Sequence, residues 1–192
     1  MSEASQSILD AIHARRAVRS YAPDRVDEGA IRTLLAAAVH APTGVHAEPW
    51  AFVVIQDRAL LEKYSARAKE RLLAQPGHLS GGLRDLVAAP GFNIFYDAGT
   101  LVVICARPLG PWVVADCWLA AENLMLAACG LGLATCPIGF AVELLSSPDV
   151  KAELGIPAEV SVVAPIIVGV PRGPTPAVAR KDPLILSWRR GA

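Results

Sequence analysis

The stretch RRAVRSY at residues 15–21 places Arg15, Arg16 and Arg19 within five positions. A guanidinium keeps its charge at any working pH and presents a planar fork of donors that matches phosphate or carboxylate oxygens in pairs. Three such groups form a candidate anion site. The alternative is that cations at a helix C-terminus answer the helix dipole and stand in solvent. A second basic pair, Arg180 and Lys181, lies near the C-terminus. Pro42, Thr43 and Gly44 open a third feature, the loop APTGVHAEPW at 41–50. Proline and glycine there suit a turn after a helix.

Other chemistries find little support. GLGLAT at 130–135 follows a helical pattern and precedes a strand pattern, the reverse of a dinucleotide fingerprint, and Thr135 stands where the last glycine would be. Neither a nucleoside-triphosphate loop nor a G-x-S-x-G nucleophile elbow occurs. Cys105, Cys117, Cys129 and Cys136 form no C-x-x-C pair, and His13, His40, His46 and His78 fall at no recognised metal spacing. Free buried thiols and no metal are expected.

The 18 basic residues balance the 18 acidic ones, so the chain has no overall field to hold a polyanion, and nucleic acid is not expected as a partner. The start, MSEASQSILD, lacks the basic-then-apolar pattern of a signal peptide, so a cytoplasmic location is expected.

The elements that must position these residues follow from periodicity. Ile8, Leu9 and Ile12 predict a first helix ending near Arg15, with extended backbone from Val18 to Tyr21, so the arginines sit at a helix-to-strand corner. Asp27 and Asp57 are N-cap candidates for a second helix ending before Pro42 and a third reaching about Leu73. Residues 51–55, 100–106, 133–138 and 160–168 read as strands, and 148–154 as a short helix. The Gly- and Pro-rich segment 75–91 reads as a mobile lid.

The helix at 113–129 is apolar nearly all round and is expected to be buried on most faces, in the core and in a dimer. Asp116, Glu122 and Asn123 interrupt it, and with its length they argue against a membrane span. With 53 % hydrophobic and 19 % charged residues, the chain has apolar surface to spare for such an interface. The tail from Pro171 carries five basic residues against Asp182 alone and is expected either to dangle or to wrap a neighbour.

RRAVRSY, APTGVHAEPW, DCWLAAENLMLAACGLGLATCPIG from Asp116 and RKDPL near the end, in that order, resemble the FMN-dependent nitroreductase superfamily over nearly the whole chain. The resemblance implies a single domain over 1–192 of α+β class: a mostly antiparallel central sheet flanked by helices, with a long buried helix and a C-terminal tail packing on a partner subunit. It implies a homodimer with FMN at the subunit interface, reduced by NADH or NADPH and reoxidised by a small-molecule acceptor.

Carried over by position, Arg15 and Arg16, helped by Arg180, would bind the FMN phosphate, and Arg19 would reach the N1 and O2 side of the ring. Pro42, Thr43 and Gly44 would come from the other subunit, and backbone of Cys136, Pro137, Ile138 and Gly139 would lie near N5. No catalytic side chain is implied, because the cofactor carries the hard step. Ala17 departs from the serine common in the family and removes one hydroxyl from the phosphate region.

The loop 41–50 most resembles the iodotyrosine deiodinase branch. That branch holds its amino-acid substrate with a Glu, Tyr and Lys set on its lid, whereas Glu62 and Tyr64 have the wrong spacing and residues 58–96 hold no lysine after Lys69. Cys136 falls near the position of the hydroxyl that donates to N5 in that branch. Nitroaromatic or quinone reduction is therefore expected over dehalogenation or flavin fragmentation, with flavin binding without turnover as a further alternative.

Overall fold

The computed structural model describes residues 8–75, 77, 79 and 81–191. Pro76, His78 and Ser80, part of the expected lid, lie outside the described residues.

The centre is β2 (Thr100–Ala106), a run of seven buried residues. Continuous apolar sequence of this kind needs cover on both faces. Leu101, Val103 and Cys105 enter one core while Val102, Ile104 and Ala106 enter another, as the alternation of a strand requires. β2 pairs antiparallel with β1 (Trp50–Ile55) and with β4 (Ser161–Gly169), and β4 pairs antiparallel with β3 (Ala134–Pro137). The sheet order is β1-β2-β4-β3, and every pairing in it is antiparallel.

Helices cover both faces. α2 (Glu28–Ala38) starts where the Asp27 carboxylate accepts from Ala30 N at 2.9 Å, and it buries Ile31, Leu34 and Ala38. It packs beside α5 (Val113–Gly130) on one side of the sheet. α3 (Arg58–Ala74), capped by Asp57 onto Leu60 N, covers the other side with α6 (Val142–Leu145) and α7 (Pro148–Glu153). Arg67 joins α3 to α7 through Asp149, whose carboxyl is held down at about 2 by hydrogen bonds from Ser147 and Arg67.

Two expectations need correction. Residues 82–88, read as part of an irregular lid, form a helix, α4 (Gly82–Ala88), because Val87 has a buried seat against Leu72 and Leu79. By length and composition α5 could cross a membrane, so these do not argue against a span. Its packing on α2, on the sheet and on α1 (Ile8–Ala14) is that of a core helix. Even so, Val114, Trp118 and Leu119 remain exposed, so one chain covers only part of α5.

The free edge of β3 is covered by the arginine stretch itself. Ala17 pairs parallel with Thr135, and Val18 N donates to Thr135 O at 3.0 Å. Further on, Tyr21 pairs with Pro171, and its hydroxyl donates back to Val18 O at 2.8 Å. Tyr21 packs against Gly169, where a Cβ would come within 2.7 Å of its ring. Gly169→Ala is therefore expected to push Tyr21 off β4 and cost about 1–3 kcal/mol in a urea titration, as overpacking does elsewhere. Unchanged stability would show that Tyr21 moves aside freely.

Candidate functional site

Because the arginine stretch is stitched to β3, its side chains fall at cavities on either side of that strand. One cavity of about 260 Å³ is lined by Arg15, Arg16, Met125, Cys129, Thr135 and Pro171 among others. A second, of about 200 Å³, is lined by Arg19, Ile94, Tyr96, Phe140 and residues 136–139. Thr135 and Cys136, adjacent on β3, line different cavities, as the pleat dictates.

In the first cavity the arginines are pre-positioned and under-used. Arg15 Nε stands 3.3 Å from Glu122 Oε1 on α5, an ion-pair distance without the alignment of a hydrogen bond. Arg16 Nη1 donates to His13 O at 2.5 Å and Arg15 O at 2.8 Å, which caps the end of α1 and satisfies the dipole alternative in part. Yet the Nε atoms of both arginines are buried and donate to nothing among the described residues. A buried donor left unpaired costs about 1–3 kcal/mol, more for a charged group.

In the second cavity Arg19 is exposed and has no carboxylate partner among the described residues. Its guanidinium carbon lies 5.9 Å from the centroid of the Tyr96 ring, a cation–π distance. Tyr96 (φ 51°) and Asp97 (φ 59°) both adopt left-handed backbone, which costs free energy for non-glycine residues. The turn that holds them is pinned from several sides. Asn93 Oδ1 accepts from Phe95 N, Asn93 Nδ2 donates to Asp97 Oδ1, and Ser65 Oγ accepts from Ile94 N. Lys69 Nζ donates to Ala89 O and Phe92 O at 2.8 Å each, and Phe92 meets Tyr96 edge-on at 5.5 Å. Sequence reading missed Tyr96, because FNIFYDAG has no periodicity and no motif to flag it.

Cys136 beside Arg19 is a poor hydrogen-bond donor, its thiol 3.6 Å from Pro137 O. Burial pushes its pKa up and the Arg19 charge offsets that only in part, so the thiol stays neutral. Burial likewise raises Cys105 to about 11 and Cys117 to about 12.

The remaining expected site residues are not brought to these cavities within one chain. Gly44 N donates to both Asp116 oxygens at 3.3 Å, and Gly44 packs on Trp112, so Pro42, Thr43 and Gly44 sit at the N-terminal end of α5. Asp116 and Cys129 are thirteen residues apart on that helix, about 20 Å at 1.5 Å per residue. Val45, His46 and Glu48 in the same loop all have positive φ, and Val45 is 93 % exposed. Arg180 is exposed on the tail, beyond Thr175, the last tail residue on the first cavity. Trp50 is buried in the core, and Trp118 is exposed on α5.

The sequence profile of the nitroreductase family matches residues 12–170. The chain belongs to the nitroreductase family. A relative in Archaeoglobus fulgidus, provisionally named an NADH dehydrogenase/NAD(P)H nitroreductase, is 27 % identical over 173 residues, covering 87 % of each chain. Among solved structures, a nitroreductase with bound FMN from Bacteroides fragilis superposes with a TM-score of 0.83 at 28 % identity, over 95 % of this chain and 98 % of that one. An iodotyrosine deiodinase bound to FMN and 3-iodo-L-tyrosine gives 0.76 at 22 % identity, over 93 % and 97 %, a likeness of fold. The α+β class and antiparallel sheet expected from the family resemblance match the observed fold.

A buried neutral thiol alkylates slowly, because the thiolate is the nucleophile, so the thiol burial is directly checkable. Iodoacetamide at pH 8 is expected to leave Cys105, Cys117 and Cys136 unmodified in the folded protein, as peptide mass mapping would read. Rapid modification of Cys136 would mean an accessible thiolate and would overturn the assignment of a neutral thiol.

Proposed function

We propose that this nitroreductase-family chain binds FMN, with its phosphate at Arg15 and Arg16 and its ring at the Arg19 cavity, and reduces a nitroaromatic, quinone or similar acceptor with NADH or NADPH. The observation that carries the reading is the pair of buried Nε–H groups that make no hydrogen bond among the described residues, at a cavity beside a second one lined by Arg19 and residues 136–139. When bound, the flavin would supply hydride exchange between nicotinamide donor and acceptor.

What the chain itself contributes is binding and field. Arg15 and Arg16, with Arg180 from the tail, hold the phosphate by charge-assisted hydrogen bonds. Ala17 offers no hydroxyl beside them, so about one hydrogen bond of roughly 0.5–1.5 kcal/mol is absent. Arg19 keeps a fixed positive charge at the ring cavity and favours the electron-rich, reduced state. Backbone of Cys136, Pro137, Ile138 and Gly139 walls that cavity.

The functional unit is a homodimer in this reading. Pro42, Thr43 and Gly44 lie too far along α5 to reach the cavities of their own chain, so Pro42 of the partner subunit, Thr43 of the partner subunit and Gly44 of the partner subunit complete each site. Support comes from the uncovered Val114, Trp118 and Leu119 on α5, and from the exposed tail with Leu184, Leu186 and Trp188. Amino-acid dehalogenation has less support. Tyr64 is fully buried in the core, and the neutral Cys136 thiol is a poor stand-in for a hydroxyl donor.

The purified protein is expected to be yellow and to release FMN on denaturation. A colourless preparation that does not bind added FMN would sink the proposal. Arg15→Ala is expected to weaken FMN binding about 10- to 100-fold, in line with about 1.5–3 kcal/mol for a charged hydrogen bond. Arg19→Ala should instead lower the flavin midpoint potential with little loss of retention. An unchanged potential would place Arg19 away from the ring. Sedimentation should show a dimer, and a stable FMN-loaded monomer would refute the shared site.

A further inference from the structure

A third cavity, of about 210 Å³, lies directly behind the ring cavity and shares two walls with it, Arg19 and Tyr96. Its other polar lining is Ser20, Asn93, Asp97 and Arg172. Nothing in the flavin reading uses this space. Arg172 comes from the chain just past β4, and its Nε donates to Tyr21 O at 3.1 Å while its backbone N donates to Ser20 O. These bonds fix the base of the guanidinium and leave its two terminal nitrogens without a protein partner among the described residues.

The charges do not cancel. Two guanidinium groups, Arg19 and Arg172, face this cavity against one carboxylate, Asp97, which is already engaged by Asn93 Nδ2 at 2.9 Å. The Arg19 guanidinium, 5.9 Å from the Tyr96 ring centroid, makes no hydrogen bond to that ring and keeps its donors for other partners. The pinned, left-handed turn at Tyr96 and Asp97 keeps that wall in place. A site with two under-used guanidinium forks selects an anionic group, and its neighbour with an aromatic wall selects a flat ring.

We propose that this cavity holds the anionic group, carboxylate or phosphate, of an aromatic ligand whose ring meets the flavin at the mouth of the adjoining cavity. The proposal deepens the flavin reading by assigning a substrate class: acceptors or donors that carry an anion beside a planar ring. Arg172 acts as a specificity residue and has no part in holding FMN. Two sources offer that chemistry, the carboxylate of an acceptor and a phosphate of the nicotinamide donor.

Calorimetry with benzoate and its neutral isostere benzamide tests the site without turnover, on wild type, Arg172→Gln and Asp97→Asn. Benzoate is expected to bind about tenfold more tightly than benzamide. Arg172→Gln should abolish that preference, and Asp97→Asn should widen it severalfold, with benzamide unchanged throughout. Asparagine tolerates left-handed backbone, so the second variant keeps the turn even if the first disturbs the Tyr21 contact.

If benzoate shows no preference but the KM for NADPH against a neutral quinone rises about tenfold in Arg172→Gln, the anion is the donor phosphate. Equal affinities for benzoate and benzamide together with an unchanged KM would overturn the proposal. Flavin content is scored separately. A colourless protein that still prefers benzoate would remove the flavin reading and leave this site standing.

Discussion

Everything that can do chemistry in this chain depends on one backbone contact, the pairing of residues 17–21 along the open edge of β3 and the end of β4. A free sheet edge exposes unpaired N–H and C=O groups, which a folded chain must cover or blunt. Here the cover is the arginine stretch, bonded through Val18 N to Thr135 O and locked by Tyr21 against Gly169. Arg15 and Arg16, between the end of α1 and the paired residue Ala17, fall at the cavity beside α5, and Arg19, beyond Val18, falls at the cavity of the Tyr96 turn. The edge pairing thus divides three neighbouring arginines between two cavities.

That placement carries a cost in the isolated chain. The Nε donors of Arg15 and Arg16 are desolvated and make no hydrogen bond among the described residues, although Glu122 pairs with the Arg15 charge, and five non-glycine residues, in the 41–50 loop and the Tyr96 turn, adopt left-handed backbone. Backbone strain of this kind persists where surrounding structure over-determines it. Around Tyr96 the determinants are visible: Asn93, Ser65 and Lys69 hold the turn from three directions. Around Val45 the loop is held at its two ends, by Gly44 N on Asp116 and by Arg107 on Glu48 O and Pro49 O.

The long helix α5 joins these regions. Asp116 near its start receives Gly44 N, Glu122 in its middle faces Arg15, and Cys129 near its end lines the first cavity. Seven of its 18 residues are buried in the core, Ala120, Leu124 and Ala128 among them, while Trp118 and Leu119 look outward. One helix thus separates the loop at its start from the arginine cavity at its end in the same chain.

Local signals in the sequence were enough for much of this. The Asp27 and Asp57 caps, the fully apolar run at 100–106 and the periodicity at 113–129 each declare their element within a window of a few residues, and the structure places them where those patterns end. The identity of the arginines as forked anion ligands is also a property of residue type alone. Strand order, the seat of Val87 that makes 82–88 helical, and the Tyr96 turn depend on residues tens of positions apart. So does the splitting of RRAVRSY between two cavities. No local window contains Thr135, Gly169 or Ser65, and it is contact with them, possible only once the sheet has assembled, that gives the same short stretch of charge its two separate places.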